Sequence, residues 1–148
     1  MVITWMIKKF DDLSPLQLYK IMQLRNEVFV VEQNCVYQDA DNKDISSLHF
    51  MGWENEKLLA YTRILPPGLA YPQASIGRVV TLPSARKGGI GRELMIQSIE
   101  QVRKLFGEIS LKIGAQLYLQ KFYMSLGFQQ TSEIYLEDGI EHIEMVRL

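Results

Sequence analysis

One turn constrains this chain more than any other stretch. The segment "ARKGGIGREL", Ala85 to Leu94, packs three glycines and three basic residues between the apolar run "SIGRVV" and a stretch of helical periodicity. A strand passing into a helix here meets a helix start whose first backbone N–H groups lack partners and which carries about half a positive charge. Gly88, Gly89 and Gly91 leave room for an anion to reach that backbone, and Arg86, Lys87 and Arg92 favour a phosphorylated one. The same residues would also serve as a tight turn with solvated charges. Two familiar phosphate loops are excluded. No Lys-Ser or Lys-Thr pair follows the glycines, as a P-loop requires. Gly89-Ile90-Gly91 runs on into Arg92-Glu93-Leu94, so the third glycine of a dinucleotide fingerprint is missing.

Around this turn the periodicities alternate between strand and helix. Ile3, Trp5 and Ile7 alternate as in a strand. Ser14, Pro15 and Gln17 form the signature of a capped helix start, and Leu18, Ile21, Met22, Arg25, Val28 and Phe29 follow at helical spacing. Arg25 lies on that apolar stripe and needs an acidic or carbonyl partner if buried. "LHFMGW" and "KLLAYTRIL" read as a hairpin, "SIGRVVTL" as the next strand, and Leu94, Met95, Ile99, Val102, Leu105 and Phe106 as the apolar face of the helix after the glycines. "EISLKIG" is a strand and "AQLYLQKFYMSLGF" a helix closed by Gly127. Strands around "QTSEIYL" and "HIEMVRL" are joined through Asp138-Gly139, a strong hairpin turn. The order predicts an α/β (α+β) fold over residues 1–148 as one domain, with a mixed sheet and helices on both faces.

A net charge of −1 over 148 residues argues against a nucleic-acid partner held by bulk electrostatics, so the basic turn suits a small anion. The single cysteine, Cys35, allows no internal disulfide, which fits a reducing, cytoplasmic setting; a buried thiol or a nucleophile are its two readings. No apolar run reaches the roughly 18 residues of a membrane span, and the start has no basic region ahead of its apolar run. His49 and His142 are too far apart in sequence for metal-ligand spacing, so no metal is expected.

Arg86, Gly89 and Gly91 spell R-x-x-G-x-G, and "KFYMSLGF" adds the pairs Phe122-Tyr123 and Gly127-Phe128. Together these resemble the GNAT N-acetyltransferase superfamily. "RNEVFVVEQNCVYQDAD", "AYTRIL", "IGRVVTL" and "YLEDGIEHIEM" extend the resemblance over nearly the whole chain, to the ElaA branch of that superfamily. The resemblance implies a mostly antiparallel sheet whose two central strands splay apart. It implies acetyl-CoA as co-substrate, with the pyrophosphate in the glycine loop (Arg86, Lys87, Gly88, Gly89, Gly91, Arg92) and the pantetheine arm along the backbone of Val79, Val80 and Thr81. Tyr123 takes the place of the tyrosine that protonates the departing CoA thiolate. Gly114-Ala115-Gln116 stands where the family often has an asparagine.

The activity implied is transfer of acetyl to a primary amine, of a small molecule or a peptide, by direct attack in a ternary complex. Acyl-homoserine-lactone synthesis, to whose N-terminal pattern Arg25 and "EVF" are similar, and a non-catalytic CoA-binding module are the alternatives. Neither a nucleic acid nor a membrane is expected as partner, and a homodimer is compatible. Glu32 ends a helical stretch and could hold an ammonium or take its proton; a solvated or salt-bridged carboxylate is the plainer reading. His142 could line the acceptor pocket. Between Glu32 and Asp44 four carboxylates, Asp39 and Asp41 among them, face one lysine, and such a loop would gather cationic acceptors.

Overall fold

The computed structural model of the chain describes residues 2–148. Four antiparallel strands lie side by side in chain order: β1 (Thr4–Lys9), β2 (Leu48–Glu54), β3 (Lys57–Leu65) and β4 (Ser75–Thr81). A second sheet centres on β8 (Ile140–Arg147), which pairs antiparallel with β5 (Leu111–Gln116), β6 (Gln129–Gln130) and β7 (Tyr135–Glu137). The helices are α1 (Pro15–Arg25), α2 (Ile90–Phe106) and α3 (Gln120–Met124).

Each face of the first sheet carries its own core. Ile21 and Leu24 of α1 pack with Met51, Trp53 and Tyr61, while Leu94, Met95 and Val102 of α2 pack with Phe50, Leu59 and Ile64 on the other face. The alternation of Phe50 and Met51 divides β2 between the two. α1 starts as its sequence predicts, with Ser14 Oγ accepting from Gln17 N–H and Gln17 returning a bond to Ser14 N–H. It then widens into a π-helical segment, Asn26–Glu32, followed by bonds from Gln33 to Val28 (3.0 Å) and Cys35 to Val30 (3.1 Å). The widening turns the side chains after Arg25 to new directions, and such segments favour functional sites.

Three expectations change. The helix expected over 115–128 shrinks to α3 after a 3₁₀ turn at Leu117–Leu119, because Ala115 and Gln116 stay in the ladder opposite Ile143 and His142. The strand expected over "QTSEIYL" divides into β6 and β7. Between them Ser132 Oγ accepts from Glu144 N–H at 2.8 Å, so a side chain replaces the ladder there. Leu105, expected on the buried stripe, is 45% exposed.

The feature that makes the site lies between the sheets. β4 and β5 run parallel and touch at one end only, through the Ala74–Leu111 bridge and a 3.0 Å bond from Lys112 N–H to Ala74 C=O. On its other edge β4 carries a bulge: Tyr61 pairs with Val80 and Arg63 with Gly77, so Arg78 and Val79 together oppose Thr62. Arg78 sits at φ +50°, in the left-handed region, which sharpens the bend of β4 away from β5. The result is the mixed α/β fold with splayed central strands that the sequence implies.

Candidate active site

A cavity of about 860 Å³ fills the wedge between the splayed strands. Its walls are β4 from Ile76 to Thr81, β5 from Ile113 to Gln116, the π-helical segment, and the β7–β8 hairpin. That volume suits a small-molecule site.

At one end stands the glycine turn. Gly88 and Gly89 adopt φ +91° and +81°, conformations that other residues take only with strain. Gly89 is the N-cap of α2 and no side chain caps the helix. The first intrahelical bond runs from Glu93 N–H to Gly89 C=O, which leaves the N–H groups of Ile90, Gly91 and Arg92 without helical partners. A Cβ built on Gly88, Gly89 or Gly91 would meet nothing within 4 Å, so the glycines leave an open cradle. Arg86 and Gly91 line the cavity itself; Lys87, Gly88 and Gly89 are exposed beside it, and Arg92 Nη1 donates to Ser125 Oγ at 2.9 Å.

Arg86 is engaged across the mouth. Its Nη1 and Nη2 donate to the two carboxylate oxygens of Glu32 at 2.8 and 2.7 Å, and Nη2 lies 3.3 Å from Thr81 C=O. Both side chains are 40% exposed. The hydrogen bonds and charge of Arg86 hold the Glu32 carboxyl below its usual range.

Tyr123, on α3, lines the middle of the cavity and is 5% exposed, packed edge-on against Phe128. Burial pushes its hydroxyl pKa well up, so the proton stays on throughout the working range. His142, also in the cavity wall, is 7% exposed. Its Nδ1 lies 2.7 Å from Ile140 C=O, and a carbonyl only accepts, so Nδ1 carries a proton; Nε2 lies 3.4 Å from Glu137 Oε2. Cys35, the buried thiol of the two readings, lies 3.4 Å from Asp138 C=O and ties the loop to the β7–β8 turn. His49 is fully buried between Tyr61 Oη (2.6 Å) and Asp44 C=O (2.9 Å), and burial lowers its pKa.

The acidic loop is organised differently from its sequence. Asp39 is 6% exposed and its carboxylate meets Arg25 Nε at 2.8 Å, Tyr37 Oη at 2.8 Å and Arg78 Nε at 2.8 Å. Asp44 meets Arg25 Nη1 at 2.7 Å, and Asp41 takes a two-pronged contact from Arg63 at 2.7 and 2.9 Å. Burial raises the Asp41 pKa, but Arg63 outweighs it and leaves it at about 2. Of the two aspartates named as acceptor candidates, only Asp41 reaches the cavity wall; Asp39 is withdrawn beneath it. Sequence reasoning missed Arg63, Arg78 and Glu137. The first two are single basic residues in apolar strands, and only the unpaired Arg25 and the acid-rich loop hinted that such partners were needed. Among the described residues no group of three or more His, Cys, Asp and Glu is placed to hold a metal, and no helix is long and apolar enough to cross a membrane.

The splayed α/β sheet with a bare helix start at its wedge is the architecture expected of a GNAT-type acyltransferase, and residues 11–148 match the family described as an acetyltransferase (GNAT) domain. The chain belongs to that family. Within it, the chain is 42% identical to the protein ElaA of Escherichia coli K12 over 148 residues, covering 99% of this chain and 97% of ElaA. The crystal structure of E. coli ElaA superposes with a TM-score of 0.93 at 41% identity, over 99% of this chain and all of that one. An acyl-CoA N-acyltransferase from Pseudomonas aeruginosa superposes with a TM-score of 0.95 at 41% identity over the same shares.

Proposed function

We propose that the protein moves an acetyl group from acetyl-CoA to a primary amine of a small molecule or peptide, by direct attack while both are bound. One observation carries the reading: a single cavity is lined both by Arg86 and Gly91 of the uncapped, glycine-cradled start of α2 and by Tyr123. Bound acetyl-CoA supplies an activated thioester; everything else is done by the chain. The N–H groups of Ile90, Gly91 and Arg92, with Arg86, would hold the pyrophosphate. Among the described residues the edge of β4 that faces away from β3, at Val79, Val80 and Thr81, has no strand partner, and it would offer backbone groups to the amides of the pantetheine arm. The bulge frees backbone at the same point to polarise the thioester carbonyl. Tyr123 would donate its hydroxyl proton toward the departing sulfur. Because burial makes that hydroxyl a weaker acid than usual, its main contribution is a hydrogen bond to the developing charge. Nε2 of His142 would take the proton of the attacking amine, with Glu137 beside it to balance the charge gained. The test is a thermal shift with CoA, acetyl-CoA, NAD and ATP, followed by an amine panel scored for CoA release. CoA species alone should stabilise the protein, and release should depend on amine; stabilisation by NAD or ATP alone refutes the loop assignment, and absence of amine-dependent release leaves a binding module.

A further inference from the structure

The assignment of CoA to the glycine turn leaves one contact unexplained. Among the described residues Arg86 is the only arginine in the cavity wall at the turn, yet both of its terminal nitrogens donate to Glu32. The two residues are 54 apart in sequence and come from opposite banks, Glu32 from the end of the π-helical segment and Arg86 from the turn before α2. A pyrophosphate drawn to Arg86 brings negative charge beside the Glu32 carboxylate, and at a few ångströms two such charges repel strongly. The two N–H groups that Arg86 directs at Glu32 cannot serve the pyrophosphate at the same time.

We propose, on the reading that CoA binds this turn, that the Glu32–Arg86 pair is an internal stand-in for the pyrophosphate, and that donor binding replaces it and releases the Glu32 carboxylate into the cavity as a subsite for a second, cationic group on the acceptor. Glu32 thereby links the two substrates: the free protein keeps its acceptor carboxylate neutralised, and the donor complex exposes it. The acceptor class that follows is a diamine or a lysine-like amine carrying a positive charge beyond the reacting nitrogen. The charge balance favours this class only in the donor complex. Asp39, Asp41 and Asp44 remain held by Arg25, Arg63 and Arg78, leaving Glu32 as the carboxylate whose partner the donor removes.

Calorimetric titration of CoA into the unaltered protein and into Glu32→Gln, Glu27→Gln, Arg86→Ala and the Glu32→Gln/Arg86→Ala double variant tests the exchange. Glu32→Gln removes the competitor, so CoA should bind roughly 2- to 5-fold more tightly, the scale of one exposed ion pair. Glu27, whose charge also acts on Arg86 without pairing with it, controls for charge at a distance and should give a smaller gain. In the Arg86→Ala background the gain from Glu32→Gln should vanish, since the cycle isolates the pair. Unchanged or weaker CoA binding in Glu32→Gln, a gain equal to that of Glu27→Gln, or a gain that persists without Arg86 overturns the exchange. Failure of the unaltered protein to bind CoA at all overturns instead the assignment on which it rests. In the second arm, 1,4-diaminobutane is titrated with and without saturating CoA, with butylamine as the singly charged comparison. CoA should tighten the diamine more than butylamine, and the difference should disappear in Glu32→Gln; equal effects on the two amines, or no diamine binding, overturn the acceptor subsite.

Discussion

Replacing Arg25 by methionine should expose how the chain holds its long acidic loop. Arg25 is fully buried, with Nε on Asp39 (2.8 Å), Nη1 on Asp44 (2.7 Å), Nη2 on the Asp39 carbonyl (3.2 Å), and the guanidinium 5.9 Å from the Tyr61 ring centre. Methionine fills much of the same space but leaves two buried carboxylates short of a partner. Breaking a buried pair from one side costs about 3–5 kcal/mol. The lower end applies here, because Asp44 keeps Arg63 at 3.1 Å and Asp39 keeps Arg78 and Tyr37. Against a total stability of about 5–15 kcal/mol that is a large fraction, and for a domain of this size it lowers Tm by about 6–12 °C.

The pH dependence tells this account apart from simple loss of packing. Burial raises the Asp44 pKa, but Arg25 and then Arg63 outweigh it, so the folded value lies below the unfolded one. A carboxyl depressed in this way adds stability above its unfolded pKa of about 3.9 and loses that contribution as pH falls through the folded value. Without Arg25 only Arg63 still opposes burial, so the Asp44 pKa rises from its depressed value and part of the buried charge is neutralised as pH falls. Urea unfolding at pH 7 and pH 4 should therefore show a gap of about 3 kcal/mol at pH 7 that narrows at pH 4. A gap under about 1 kcal/mol at pH 7, or one of equal size at both pH values, refutes the reasoning.

Two further substitutions test the cavity. Tyr123→Phe should lower turnover by roughly 10²-fold while CoA affinity stays unchanged. Steady-state rates within a factor of two of the unaltered enzyme would mean that water or another group serves the sulfur. Gly91→Ala puts a methyl into the open cradle at an ordinary helical position, so thermal unfolding should show a gain of up to about 1 kcal/mol from helix propensity while CoA binding weakens. Unaltered CoA affinity in this variant would remove Gly91 from the anion site.

What could be read from the sequence was local. Ser14 and Gln17 cap α1 through neighbours three residues apart, and Asp138 and Gly139 take φ +52° and +78° because the two-residue turn demands it. The glycine turn was legible for the same reason. Arg78 was not. Nothing in "SIGRVVTL" marks its fourth and fifth residues as a bulge, because the left-handed arginine is held by Asp39, whose carbonyl it bonds across a separation of 39 residues. Such strain persists only where distant groups over-determine it. The register of β5 is another case: the helical spacing through "AQLYLQKFYM" is real, yet the first two residues obey the ladder with β8.

Charge counting along the sequence fails in the acidic loop for a related reason. The segment from Glu32 to Asp44 carries four carboxylates and one lysine, which taken alone would project a field over roughly 8–10 Å and gather cations. In the fold Arg25 arrives from α1, Arg63 from β3 and Arg78 from β4, and each meets two of the aspartates. Three buried or half-buried arginines against three aspartates leave no long-range field from that cluster. Its work is positional: Asp39 joins Arg25 of α1 to Arg78 at the bulge, so the bend that opens β4 from β5 is anchored in the α1 core rather than in the strand itself. On the proposed function, any electrostatic choice among acceptors falls to carboxylates at contact distance, such as Glu137 beside His142 and Glu32 opposite Arg86. Both line the cavity wall and neither is held by the arginine cluster.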